Sequence, residues 1–246
     1  MKVTGNTILI TGGASGIGLA LAWRFYGRGN VVIVCGRRED ALAGAKQKMP
    51  GIHTRVCDVA NAGEREELIR WATSEFPDLN VLVNNAGIQR SIDLKKEEPW
   101  SSTESEITIN LEAPIHLSQL IYPHLKGRPN AVIANVTSGL SFVPLANVPV
   151  YCATKAALHS FTLSLRWQLR DSGVEVVEII PPAVDTDLQA PGLHTFGVKV
   201  DEFADYVFDQ LEAGKTEIAY GTALAGSHAS RDELEKIFET MNRSFH

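Results

Sequence analysis

For most of its length the chain alternates between short apolar runs rich in β-branched residues and longer stretches whose apolar positions recur at helical spacing. Residues 7–11, 31–35, 53–58, 80–84, 131–136 and 174–180 read as strands buried on both faces. Helical patterns over 16–28, 39–48, 61–76, 103–125 and 150–171 separate them. Short strand–helix connections in strict alternation predict an α/β fold, a doubly wound parallel sheet of six to seven strands with helices on both faces. No Pro-, Ser- or Gly-rich linker divides the sequence, so one domain is expected over 1–246.

Beyond residue 180 the pattern weakens. Residues 185–200 carry two glycines and a proline without a clear period, which predicts a long loop or a pair of short helices. Long irregular segments of compact domains tend to be binding loops, and 187–200 is the expected substrate lid. A helix over 201–213, a short strand over 216–220 and a charged helix over 231–242 follow.

Composition narrows the function classes. A net charge of −6 in 246 residues offers no basic face for nucleic acid. Cys35, Cys57 and Cys152 are scattered and odd in number, as expected of reduced thiols in a cytoplasmic protein rather than a disulfide framework or a metal site. The apolar stretch 7–25 is broken by four glycines, two threonines and a serine, so neither a signal peptide nor a membrane span is expected.

The chemistry begins at "ILITGGASGIGLALA", where a strand, a glycine-rich turn and a helix follow one another directly. Gly12, Gly16 and Gly18, with Ser15 and Ile17 among them, suit a pyrophosphate approaching the backbone at a helix N-terminus. The end of the second strand reads "VIVCGRRED". An acidic residue there would favour a free ribose diol, whereas Arg37 and Arg38 suit a 2′-phosphate, so NADP(H) is favoured over NAD(H). "NNAG" (84–87), "TIN" (108–110) and "VTSG" (136–139) follow, and then "YCATK", with Tyr151 four residues ahead of Lys155. The last spacing is weak by itself, because any short motif recurs by accident.

Taken in order, "TGGASGIG", "CDV", "NNAG", Asn110, Ser138 and Y-x-x-x-K resemble the single-domain short-chain dehydrogenase/reductase family over nearly the whole chain. Within it they are most similar to the DltE-like oxidoreductases. The resemblance implies a Rossmann-type fold and a catalytic tetrad of Asn110, Ser138, Tyr151 and Lys155. Tyr151 would be the general acid/base and Lys155 would stabilise its phenolate and hold the nicotinamide ribose. Ser138 would orient the substrate oxygen, and Asn110 would anchor a water beside the lysine. Asp58 and Val59 would meet adenine; Asn85, Ala86 and Gly87 would line the centre of the cofactor; Val184 and Thr186 would meet the carboxamide. Asn84 is expected to be structural.

The substrate pocket is expected between Gln89, the 140–144 segment (Leu140 and Phe142) and the lid (Leu188, His194 and Phe196). These mostly apolar residues favour a hydrophobic ketone, aldehyde or secondary alcohol. Two departures stand out. Pro181-Pro182 replaces the family's Pro-Gly, and a charged C-terminal helix replaces the usual tetramer-forming end, which favours a homodimer through 103–125 and 150–171. An NADP-binding regulator with little turnover is the competing class, and a nucleotide-sugar epimerase would need a larger C-terminal domain.

Overall fold

The computed structural model describes residues 1–97, 99–190 and 192–243. Its main sheet is parallel throughout, in the order β3 (His53–Val56), β2 (Val31–Gly36), β1 (Thr7–Thr11), β4 (Leu79–Asn84), β5 (Ala131–Val136), β6 (Val174–Ile180) and β9 (Glu217–Ala219). The order reverses between β1 and β4, and in open α/β sheets ligands settle in the crevice beyond such a switch. This is the Rossmann-type arrangement, with helices on both faces.

Strand periodicity explains the two cores. On one face Ile8, Ile10, Val32 and Val34 pack with Phe25, Phe203 and Phe208. On the other, Leu9, Ile33, Leu82 and Ile133 pack with Leu68, Leu117 and Ile121. A strand covered on both sides needs apolar residues at every position, and β1, β4 and β5 are buried at every residue. Each such side chain contributes about 1.5–3 kcal/mol of burial. The sequence expectation fails at β3, where His53, Arg55 and Val56 are exposed. It is the outermost strand, so only its inner neighbour covers it.

The helices are α1 (Gly16–Gly27), α2 (Glu39–Lys48), α3 (Ala62–Glu75), α4 (Trp100–Ile107), α5 (Ala113–Leu125), α6 (Pro149–Leu169), α7 (Val200–Glu212), α8 (Gly221–His228) and α9 (Arg231–Asn242). The single helix expected over 103–125 instead starts at Trp100 and widens into a π turn at Thr108–Glu112 between α4 and α5. Such one-turn bulges recur at functional sites, and Asn110 lies within this one. Helix α8 carries no sequence signal, since "GTALAGSH" lacks an apolar stripe. Residues 185–200 are closed at their base by two two-residue strands, β7 (Val184–Asp185) and β8 (Val198–Lys199), with Lys199 Nζ 2.6 Å from Asp185 Oδ2. No helix among the described residues is long and apolar enough to cross a membrane.

Candidate active site

The turn from β1 to α1 needs its glycines for different reasons. Gly12 sits at φ 64°, in the left-handed region open to glycine, and a Cβ there would lie 2.9 Å from Ala86 Cα. Gly18 has ordinary backbone angles but no room: its Cβ would fall 2.4 Å from Asn85 Nδ2 and 2.5 Å from the Gly12 carbonyl. Asn85 fills that space, donating to the carbonyls of Thr11 (2.9 Å) and Gly12 (3.2 Å). In return, Thr11 Oγ1 accepts the amides of Asn85 and Ala86 at 3.0 and 3.1 Å. Thr11 was not among the expected site residues, although a threonine closing a strand beside the glycine turn is a readable signal.

Ser15 stands at the N-cap of α1, yet its hydroxyl accepts from Arg38 Nη2 at 3.1 Å and makes no cap bond. The first-turn amides are therefore left to a ligand, as a phosphate requires. A cavity of about 570 Å³ opens in front of them. Its walls include Gly12, Ser15, Gly16, Ile17, Arg37 and Arg38 at one end. Asp58, Val59, Asn85, Ala86, Gly87 and Thr186 continue it, and Tyr151 and Lys155 close the other end. Gly18 and Val184 lie off the wall, Val184 being buried in the core. Arg37 Nη1 is 3.9 Å from Asp58 Oδ2. Arg65, absent from the sequence expectations, is almost fully buried and holds the Val59 carbonyl (2.9 Å), His116 (3.0 Å) and Glu112 (2.6 Å). It thereby ties the Val59 side of the cavity to the π turn that bears Asn110.

The end of the cavity that holds Tyr151 and Lys155 is assembled from the C-terminal edge of the sheet and from α6. A ladder of buried amides, Asn84 to Asn135 (2.9 Å) and Asn135 to Thr162 (2.9 Å), locks β4, β5 and α6 together. The Asn84 amide is directed to Ser118 Oγ at 3.2 Å and to Asn135, and Asn84 does not line the cavity. Tyr151 packs with Val148 and Cys152, and Leu140, Leu145 and Leu188 lie against this cluster. Burial pushes its phenol up to about 12, while a hydrogen bond with Ser138 works the other way. Lys155, one helical turn on, donates to the Val136 carbonyl at 2.8 Å, and burial lowers it to about 8. A Cβ on Gly87 would meet both Asn110 Oδ1 (3.4 Å) and Lys155 Nζ (3.6 Å), so the backbone of Gly87 packs between them.

Asn110 is fully buried, and its side chain grips Ile88 twice, accepting from N–H at 2.9 Å and donating to C=O at 2.8 Å. Ser138 accepts from the Leu140 amide at 3.1 Å, which opens a short 3₁₀ turn over Gly139–Ser141.

The expected substrate residues divide. Gln89 and Leu188 line the cavity. Leu140 lies behind Tyr151, and Phe142 packs on Ile180, Ala219 and Ala223 beneath α8. His194 and Phe196 face each other at 6.0 Å in the closed-off segment, with the Phe196 ring exposed to solvent. Arg90, Asp187 and Gln189 also line the cavity, adding polar groups to the wall expected to be apolar.

The family model for the short chain dehydrogenases matches residues 6–195. The chain belongs to this family. An uncharacterized oxidoreductase, DltE, of Bacillus subtilis (strain 168) is 53% identical over 98% of this chain and 98% of its own. A short chain dehydrogenase from Burkholderia cenocepacia, solved in complex with NADP, superposes with a TM-score of 0.84 at 25% identity, covering 97% of this chain and 99% of its own. A short chain dehydrogenase/reductase from Burkholderia phymatum, solved in complex with NAD, gives 0.86 at 19% identity over 96% of both chains, a likeness of fold. The chain is thus an oxidoreductase of a family that binds nicotinamide cofactors. The glycine turn, the uncapped start of α1 and the cavity fit such a dinucleotide.

Proposed function

We propose that this short-chain dehydrogenase transfers hydride between NADP(H) and a carbonyl or secondary alcohol, with Tyr151 as general acid/base. The observation that carries the reading is the pairing of Tyr151 and Lys155 at one end of a cavity whose other end presents Arg37, Arg38 and the start of α1, with Ser138 behind the wall and hydrogen-bonded to Tyr151. When bound, the nicotinamide supplies or accepts the hydride. Tyr151 donates its phenolic proton to the carbonyl oxygen in reduction and removes it in oxidation. Ser138, hydrogen-bonded to that phenol, orients the reacting oxygen. Lys155 is protonated at neutral pH and offsets the charge left on Tyr151, while its remaining N–H groups hold the ribose. Asn110 keeps the Gly87–Ile88 backbone beside the lysine and so shapes the proton path.

Two features support NADP(H). Arg38 already reaches over the phosphate end to Ser15, and Arg37 stands at the rim beside Asp58. At that end of the cavity the acidic lining residue, Asp58, accepts the Ala60 amide at 3.0 Å through Oδ1 and faces Arg37 through Oδ2. The substrate is a hydrophobic ketone, aldehyde or secondary alcohol, a reading supported by Leu188 and Ile88 on the cavity wall near Tyr151. Gln89 and Arg90 set the polar margin of that pocket. The segment 187–200 acts as its lid; Pro191 lies outside the described residues. The enzyme works in the cytoplasm as a homodimer.

Oxidation of NADPH by the purified protein, with NADH in parallel, across a panel of apolar ketones, aldehydes and keto esters tests the reading. Turnover preferring NADPH and lost in Tyr151→Phe is expected. Unchanged turnover in that variant would overturn it.

A further inference from the structure

The loop that leaves β4 runs beneath the substrate end of the cavity and is held at alternate amides. Ile88 N–H donates to Asn110 (2.9 Å), Arg90 N–H to Glu106 Oε1 (3.2 Å) and Ile92 N–H to the Asn147 carbonyl (3.0 Å). Between these pins Gln89 and Arg90 reach the cavity wall, and Ser91 Oγ accepts from Gln189 Nε2 of the lid segment at 3.0 Å. Asn110 belongs to the tetrad, and the Asn147 contact is backbone only. The middle pin is a side chain with no part in the chemistry so far described.

Glu106 is an unusual choice for that place. It is wholly buried on α4, and its second oxygen, Oε2, has no hydrogen-bond partner. Among the described residues no cation lies within salt-bridge distance of it: the Arg90 guanidinium is directed to Ser105 Oγ at 3.3 Å. The groups facing it are Arg90 from the loop and, across the α4–α6 contact, Tyr151 and Cys152. In the adjoining π turn the single titratable residue, Glu112, is bound to Arg65. A buried carboxylate with one amide bond is poorly compensated, whereas the neutral acid is tolerated. Burial raises this carboxyl to about 7, opposed by the amide and charge of Arg90.

We propose that Glu106 is a positioning residue of the substrate site: its neutral carboxyl clamps Arg90, and with it Gln89, against the helix bearing Tyr151, and its ionisation loosens the clamp. Two effects follow from the charge. An ionised Glu106 draws water toward Oε2, which opens the loop at its middle amide. It also places a like charge near the forming phenolate of Tyr151 and makes that state harder to reach. Both lower activity as pH rises through about 7.

The kinetic side of this inference rests on the reductase reading; the structural side does not, and two readouts separate them. Hydrogen exchange of the 88–92 amides, corrected for intrinsic rates, is followed in the ligand-free protein at pH 6 and pH 8. The native loop is expected to exchange about tenfold faster at pH 8, the order of one net hydrogen bond. Glu106→Gln, which keeps the acceptor and cannot ionise, should exchange at the same corrected rate at both values. Glu106→Leu, which removes the pin, should exchange fast at both. In turnover, Glu106→Gln should match the native enzyme at pH 6 and move the alkaline decline of kcat/KM about one pH unit upward, toward the titration of Lys155. An equal pH response of native protein and Glu106→Gln in exchange overturns the inference, even if Glu106→Leu fails to fold. The expected exchange pattern without turnover of any carbonyl would leave the clamp standing and sink the reductase reading instead.

Discussion

Lys155 Nζ stands 5.7 Å from the centroid of the Tyr151 ring and is anchored to the Val136 carbonyl, in a pocket where burial moves the two groups in opposite directions. Both shifts disfavour charge, so the pair is poised to exchange it only when a ligand supplies compensation. Replacing Lys155 by Met is expected to lower turnover by about 10²–10⁴-fold, the usual worth of acid–base assistance. Because the folded lysine titrates near 8 and the unfolded one near 10.5, the unfolded chain binds more protons between those values. Native ligand-free protein should therefore gain stability as pH rises from about 8 to 10.5. A Lys155→Met variant followed by chemical denaturation should lack that gain.

Arg38 bridges α2 to the cap of α1 through Ser15. Its removal in Arg38→Ala should raise KM for NADPH about 10–100-fold, as loss of one or two charge-assisted bonds would. KM for NADH should change little. Equal effects on both cofactors would mean that the guanidinium supports the turn and not a 2′-phosphate.

Gly18→Ala puts a methyl group where Asn85 Nδ2 now sits. The amide must leave the Thr11 and Gly12 carbonyls, and the cofactor turn loses its brace. A loss of about 1–3 kcal/mol in stability is expected from the overpacking. Calorimetric titration with NADP should show affinity weakened by at least about tenfold, a consequence of the same displacement.

His159 forms a two-oxygen contact with the fully buried Glu178, at 2.9 and 3.0 Å, and Thr137 donates to the same carboxylate at 2.7 Å. The Glu178 hydrogen bond raises the imidazole above its ordinary value. The folded state then holds a proton more tightly than the unfolded one, so this stabilisation is complete below about pH 6.5. It fades as pH rises through the folded value. His159→Gln should destabilise the protein at pH 6 by about 1–3 kcal/mol, the range of a hydrogen bond to a charged group. It should cost much less at pH 9. Urea titrations at the two pH values would decide.

Where local chemistry dictates structure, the sequence was informative. The bounds of β1, β5, β6, α2 and α9 follow their β-branched or amphipathic runs to the residue. The glycine turn, the arginine pair and Tyr151 with Lys155 were all legible because each sits at the end of a patterned element. Other features depend on partners distant in sequence. Arg65 reads as one more charge on α3 until Glu112, His116 and Val59 fold around it. Glu106 sits in a polar run, "SSTESEI", that suggests a solvated face, yet tertiary packing buries it completely. The π turn around Asn110 leaves no periodic trace, because five residues are too few to reveal a change of pitch. Phe142 looked like a pocket residue from its place after Ser138, but α8, silent in the sequence, draws it toward the sheet.

The clasp formed by β7 and β8 joins Val184 to Val198 and Asp185 to Lys199, so both feet of the segment between them are fastened to each other. At Gly197 the backbones run so close that a Cβ would lie 2.8 Å from the Ala183 carbonyl. A span with joined feet is mechanically independent of what it carries, and lengthening such a loop costs little. Positions between the feet can therefore take new side chains or extra residues without disturbing the sheet, provided that Gly197 stays and that the contacts of Leu188 with the Tyr151 cluster and of Gln189 with Ser91 are kept. One scaffold could in this way acquire new substrates by rewriting a single loop, and the clasp marks where such rewriting begins and ends.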